Sequence, residues 1–350
     1  MTMLTDLTLR HFRCFDALTC EFSPGTNVFI GPNAQGKTSL LEAVCVLLRL
    51  QSPRITRLAH AIQHERRGFV LDGHFAERHL QFYLARERKK LALDEVEQKT
   101  ARQFLEIARV VWFSNPDIQI VRGGAEHRRK FLDFVAMQVD PNYRAHLRSF
   151  ERALRSRNML LKSARQTWRE IAAFDRPLVE AGNYLTAARG RLVTELDPTA
   201  AAAQAAITHH AETLALRYVT GSGEQFATAL ESARPEDSRL RQTTFGPHRD
   251  DVSFSLNERG AEIASEGQQR SIALALKLAQ AQLLTDKFGA PPLLLIDDIF
   301  GELDVSRRNA LLQHLPAHAQ QLITTTHTDW MQKAQGAAIF DLSSGKLSPR

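Results

Sequence analysis

Residues Gly31-Pro32-Asn33-Ala34-Gln35-Gly36-Lys37-Thr38 fit the pattern G-x-x-x-x-G-K-[ST], a spacing that serves phosphate chemistry. The loop stands between an apolar strand, Asn27-Val28-Phe29-Ile30, and a helical run that begins Ser39-Leu40-Leu41-Glu42-Ala43-Val44. Its glycines let the backbone curl until several N–H groups point inwards, and the helix behind it adds a positive N-terminal end. Lys37 is then placed to reach β- and γ-phosphates, and the Thr38 hydroxyl to hold Mg²⁺. The cofactors expected from this loop are ATP and Mg²⁺.

A second group of chemically able residues follows a long intervening stretch. Ser265-Glu266-Gly267-Gln268-Gln269-Arg270 opens a helical run through Ala279 and carries the S-x-x-Q spacing of a helix capping box. The uninterrupted apolar run Leu293-Leu294-Leu295-Ile296 predicts a buried parallel strand that ends in Asp297-Asp298. Two adjacent carboxylates at such a place are costly unless they face a cation or water. Glu302-Leu303-Asp304 comes next, then a further strand, Leu322-Ile323-Thr324-Thr325, ending at Thr326-His327. In order these are Walker A, signature, Walker B, D-loop and switch histidine, and together they resemble the ABC-type ATPase heads.

The elements that must position these residues predict an α/β fold: an ABC-type P-loop ATPase head, a mixed sheet with helices, carrying an inserted all-helical arm. Residues 1–120 read as the N-terminal lobe, 121–239 as the arm and 240–350 as the C-terminal lobe. Alternation through Leu80, Phe82 and Leu84 points to an antiparallel portion packed on one face. Prolines at 141, 177, 198 and 235 suggest breaks between arm helices. If Tyr143 to Lys162 is helical, Arg144, Arg148, Arg152, Arg155 and Lys162 fall within a stripe of roughly 80°. That stripe is the candidate contact for DNA, set against the plainer reading of a solvated basic face.

The chain has 350 residues and a formal charge of +6, which suits a polyanionic partner. No charge-free apolar stretch approaches the roughly 20 residues of a membrane span. Met1-Thr2-Met3-Leu4-Thr5-Asp6 lacks the pattern of a secretory signal, and Cys14, Cys20 and Cys45 read as reduced thiols without metal spacing. The expected location is the cytoplasm.

Flanking residues narrow the resemblance to the RecF family of bacterial recombination mediators. Phe12-Arg13-Cys14-Phe15 is similar to its F-R motif, and Gly31 to Thr38 with Leu41-Glu42-Ala43 to its G-P-N-x-x-G-K-T-x-x-L-E-A. Arg128-Arg129-Lys130-Phe131-Leu132-Asp133, Arg157-Asn158 and Gly246-Pro247-His248-Arg249-Asp250-Asp251 resemble further blocks, while Phe113-Ser114-Asn115-Pro116-Asp117-Ile118 only approximates F-S-P-E-D-L. The resemblance implies that Asp297 holds Mg²⁺ through water and that Asp298 orients the attacking water. It places His327 at the γ-phosphate, Ser265, Gly267 and Gln268 at the nucleotide of a facing subunit, and Asp304 in the D-loop among the nucleotide-binding residues. It further implies an ATP-dependent homodimer on double-stranded DNA, weak DNA-dependent ATP hydrolysis, and work with RecO and RecR to load RecA at single-strand gaps, in recombinational repair and the SOS response. The rival reading is an SMC-type chromosome structural ATPase head, whose insertion should be a long heptad coiled coil. The residues give no physical role for Gly246 to Asp251.

Overall fold

An apolar run with no polar alternation needs cover on both faces, and Leu293–Asp297 finds it in the interior of a sheet. The computed structural model describes residues 3–86, 88–165, 167–223, 225–326 and 336–350. Among them the sheet runs Lys346–Pro349, Ala338–Ser343, Thr26–Ile30, Gln321–Thr325, Leu293–Asp297, Val110–Ser114. Pairings from Ala338–Ser343 to Val110–Ser114 are parallel, and Lys346–Pro349 closes one edge antiparallel. Parallel register makes the strands end together: Thr325 pairs with Ile30, and Asp297 with both Thr324 and Ser114. The phosphate loop and the two aspartates therefore leave the sheet at one carboxyl edge.

The helix Lys37–Arg49 packs against strands of this sheet and of a second, antiparallel one. Its residues from Leu40 to Arg49 are buried, as expected of a helix that is apolar on nearly every side. The antiparallel sheet orders Phe15–Glu21, Leu4–Phe12, Gly68–Phe75, Arg78–Ala85, Lys89–Leu93, Val96–Glu97. Leu80 and Phe82 point inwards, and Phe12, Phe69 and Phe82 meet edge to face at 5.1 and 5.6 Å. These sheets belong to one compact unit, Met1–Asp117 with Lys277–Arg350.

The other unit is Ile118–Leu276. It is built around the helices Ala125–Val139, Tyr143–Leu161 and Asp175–Ile207, the last 33 residues long. Pro198 lies inside that long helix and does not end it. A proline in a helix interior costs about 3 kcal/mol, and here packing against Tyr143–Leu161 and the strand Leu214–Val219 outweighs it. From its sequence the arm is expected to be all-helical and to end at residue 239. The compact unit instead continues to Leu276 and adds an antiparallel sheet of Leu214–Val219, Asp251–Leu256 and Arg259–Gly260.

Buried charge explains the longer boundary. Arg189, on the long helix, gives Nε and Nη2 to Asp133 at 2.9 and 2.8 Å and Nη1 to Asp250 at 3.0 Å. Asp250 also accepts from the Gly221 amide at 2.8 Å and the Tyr218 hydroxyl. Arg128 grips Asp251 with Nε and Nη2 at 2.6 and 3.0 Å, while Arg129 donates to the Asp250 carbonyl at 2.7 Å. A second buried arginine, Arg157, binds Asp175 at 2.9 Å and Asp237 at 2.7 Å. The segment Gly246 to Asp251 is thus the clasp that fastens the later residues to the arm helices. Asp250→Ala leaves Arg189 buried beside one carboxylate fewer, and breaking such a pair costs about 3–5 kcal/mol. Urea unfolding of this variant is expected to show a correspondingly lower midpoint, and a midpoint equal to wild type would contradict the clasp.

Candidate nucleotide-binding site

The phosphate loop is shaped by contacts that exclude side chains. Gly36 has φ +100° and forms the left-handed entry to the helix Lys37–Arg49. A Cβ there would lie 2.7 Å from Cys14 Sγ and from the Phe15 ring, so the Phe12-Arg13-Cys14-Phe15 turn presses on the loop from behind. Gly31 is as tight, since a Cβ would meet the Leu342 carbonyl at 2.2 Å. Pro32, Asn33 and Ala34 form the exposed tip, and Gln35 Oε1 accepts from the Ser344 amide at 2.6 Å. Among the described residues no side chain caps the helix, which leaves its first N–H groups available to an anion.

Lys37 is buried and donates from Nζ to the carbonyls of Gly31 and Pro32 at 2.6 and 2.9 Å. Desolvation lowers its pKa, while the charges of Asp298 and Asp297 pull it back up. Asp297 accepts from Thr38 Oγ1 and Thr324 Oγ1, both at 2.8 Å, through the same Oδ1. Burial raises the Asp297 pKa, and these two hydroxyl bonds oppose the rise. Hard oxygen donors from Thr38 and Asp297 suit Mg²⁺. Among the described residues no group of three or more His, Cys, Asp and Glu could hold a metal ion.

Asp298 takes φ +50°, a left-handed conformation uncommon outside glycine but one that aspartate adopts more readily than most residues. The turn is held from several directions. Its amide donates to Thr324 O and Oγ1, both at 3.1 Å, its carbonyl accepts from Asn115 Nδ2 at 3.1 Å, and its Oδ1 accepts from the Thr326 amide at 3.3 Å. Thr324 and Asn115 are working residues that motif reading passes over. The signal for Thr324 is its register, directly beside Asp297 on the neighbouring strand.

Behind the loop, the fully buried Glu42 accepts from Arg13 Nε and Nη2 at 2.9 and 2.7 Å, from Ser52 Oγ at 2.6 Å and from Arg54 at 2.9 Å. The F-R and L-E-A blocks are therefore two halves of one ion pair. Asp304 caps the helix Val305–His314 by accepting from the Arg307 amide at 2.9 Å, and that bond holds its carboxyl below the usual range.

Ser265, Gly267 and Gln268 belong to the other unit and start the helix Glu266–Phe288. The capping box is formed: the Ser265 amide donates to Gln268 Oε1 at 2.9 Å and the Gln268 amide to Ser265 Oγ at 3.3 Å. On the arm helix Tyr143–Leu161, Arg148, Arg152 and Arg155 are exposed, with Arg155 3.8 Å from Glu151. Arg144 is half-buried, and desolvation with Arg148 nearby lowers its pKa to about 10. His327 lies outside the described residues.

A phosphate loop and a two-aspartate strand end, set at the carboxyl edge of this mixed sheet, define an ABC/SMC-type P-loop ATPase head. The RecF/RecN/SMC N terminal domain model matches residues 3–344. The chain belongs to the RecF family: it is 36% identical over 341 residues to the DNA replication and repair protein RecF of Symbiobacterium thermophilum, covering 92% of this chain and 91% of that protein. RecF of Thermosynechococcus vestitus is 36% identical over 369 residues, covering 99% and 97%. A solved structure of the recombination mediator protein RecF with ATP, from the RecFOR pathway, superposes with TM-score 0.88 at 27% identity, covering 99% of this chain and 97% of that one. The Smc head domain of Pyrococcus furiosus gives 0.56 at 14%, a likeness of fold.

The raised pKa of Asp297 sets a testable trade. Its charged form is disfavoured in the fold, so the penalty is fully present above its folded pKa, fades as pH falls from there towards the ordinary 3.8, and is gone below it. Asp297→Asn keeps an oxygen for the two threonine hydroxyls and removes the buried charge. Melting of the nucleotide-free variant at neutral pH is expected to match or exceed wild type, with Mg²⁺-dependent ATP binding lost. A lower melting temperature would show that the carboxylate is a net support of the fold.

Proposed function

We propose that this chain is a RecF-type ATP-operated switch on double-stranded DNA, closing as a homodimer on ATP and released by slow, DNA-dependent hydrolysis. The observation that carries the reading is the joined set Lys37, Thr38, Asp297 and Asp298 at one sheet edge, beside an uncapped helix start. In this reading the Gly31 to Thr38 backbone and Lys37 bind the triphosphate. Thr38 and Asp297 would hold Mg²⁺, which would supply positive charge against the triphosphate. Asp298 orients the attacking water. Its side chain is one methylene shorter than the glutamate of related transport ATPases, which favours slow turnover. Ser265 and Gly267 present the signature helix start to the γ-phosphate on a second copy, with Asp304 and His327 completing that composite site. Family membership supports work with RecO and RecR in loading RecA at single-strand gaps, in the cytoplasm; no described helix is long and apolar enough to cross a membrane.

Lys37→Ala is expected to lose ATP binding, and with it ATP-dependent retention on DNA. Ser265→Arg should still bind ATP as a monomer yet fail to dimerise. Asp298→Asn should dimerise and stay closed, with hydrolysis down by about 10²- to 10⁴-fold. Sedimentation with ATP, with ADP and without nucleotide, each with and without duplex, reads all three. Normal dimerisation of Ser265→Arg would remove the composite site.

The exposed Arg148 and Arg152 are the proposed partners of the DNA phosphates on the arm. Removing one arginine–phosphate pair should flatten the slope of log K against log salt by about 0.9. Reversing both charges to Glu is expected to weaken duplex binding and cut its salt dependence. Unchanged affinity would make this an ordinary solvated face.

A further inference from the structure

Gln268 has its side-chain oxygen committed to the Ser265 amide, which leaves its Nε2 as the remaining polar end of the signature turn. That nitrogen does not face open solvent. It donates to Glu212 Oε1 at 2.9 Å, and the other oxygen of Glu212 accepts from Gln204 Nε2 at 2.7 Å. Gln204 is fully buried in the last turns of the long arm helix Asp175–Ile207. Its own Oε1 is buried with no hydrogen-bond partner among the described residues, so Glu212 provides the polar contact of that amide. The segment carrying Glu212 is pinned in turn, since the Thr213 amide donates to Asn257 Oδ1 at 2.8 Å and the Asn257 amide to the Thr213 carbonyl at 2.9 Å.

We infer that Glu212 is a positioning residue for the signature motif, a carboxylate strap that ties Gln268, and through it Ser265, to the end of the long arm helix. This rests on the composite-site reading above. One carboxylate bridging two amides fixes the rotamer of each, and the Gln268 rotamer is what holds the Ser265 amide and hydroxyl in the capping box. A load on the arm helix is passed to the signature turn through two charge-assisted hydrogen bonds. Arm and signature then respond as one piece.

The test compares wild type, Glu212→Ala, Glu212→Gln and the control Ser265→Arg. ATP affinity is measured on dilute monomer, the ATP-dependent dimerisation constant by sedimentation, and amide exchange over 264–270 by mass spectrometry. Glu212→Ala is expected to keep wild-type ATP affinity, to melt somewhat lower because the buried Gln204 amide loses its partner, to exchange faster at the signature turn, and to dimerise about tenfold more weakly. Glu212→Gln retains an acceptor for Gln268 and, with the Gln204 amide turned over to present its oxygen in place of Nε2, donates to it, so it should recover most of the loss. Losses from Glu212→Ala and Gln268→Ala should be non-additive, as for residues acting through one another. If Ser265→Arg fails to dimerise while Glu212→Ala dimerises normally, the strap is refuted and the composite site stands. If Ser265→Arg dimerises, that reading fails and the strap with it. A Glu212→Ala variant that melts lower and binds ATP more weakly has a general folding role and also overturns the inference.

Discussion

The hydrogen bond from Thr38 to Asp297 joins residues 259 positions apart, and the first unit is organised around making it. A hydroxyl on the phosphate loop can meet a carboxylate at a strand end only if both leave one sheet edge at the same level. Parallel pairing provides that level, because parallel strands share a direction and end in register. Gln321–Thr325, lying between Thr26–Ile30 and Leu293–Asp297, sets the spacing and contributes Thr324 to the same carboxylate. The helix Lys37–Arg49 must then run back across the sheet, which explains why it is buried on nearly every side. Glu42 at its middle is consequently a buried charge, and Arg13 and Arg54 answer it.

The same rule orders the second unit by different means. Here arginines are buried, and carboxylates distant in sequence come to them: Asp133 and Asp250 to Arg189, Asp175 and Asp237 to Arg157. Arg128 and Arg157 bind internal carboxylates and Arg129 donates to the Asp250 carbonyl, so these basic blocks serve the fold. A formal charge of +6 therefore says little about where a partner binds. Exposure separates the arginines that hold the fold from those at Arg148, Arg152 and Arg155.

Much of the head could be read from sequence because its signals are local. A glycine-spaced loop, an apolar run ending in acids and an S-x-x-Q turn each carry their meaning within a few residues, and the sheet, the helix start and the capping box followed. What could not be read depends on distant partners. Pro198 signals a break, yet packing along a 33-residue helix overrides it. The arm boundary at 239 followed a change in periodicity, whereas the unit continues to Leu276 because Asp250 and Asp251 belong to Arg189 and Arg128. Glu42 and Arg13 each looked like family punctuation, and only the fold makes them a pair. Asp304 was legible as a D-loop residue but not as a helix cap, although an acid just before Val305 is what a cap requires.

The site carries its own electrostatic tension. Asp297 is desolvated and holds its charge against burial with two hydroxyl bonds, while Lys37 spends its protons on the carbonyls of its own loop. Each arrangement is a substitute. Phosphate oxygens are better acceptors for an ammonium than carbonyls, and a divalent cation is a better neighbour for a buried carboxylate than a hydroxyl. In the proposed function Mg²⁺ and a triphosphate would take the place of both partners at once, so affinity and fold stability would draw on the same groups and be linked. Such a site is preorganised without being at rest. Its geometry is fixed by the sheet edge and by the bonds around Asp298, while its buried charges keep a tension that the fold alone does not remove.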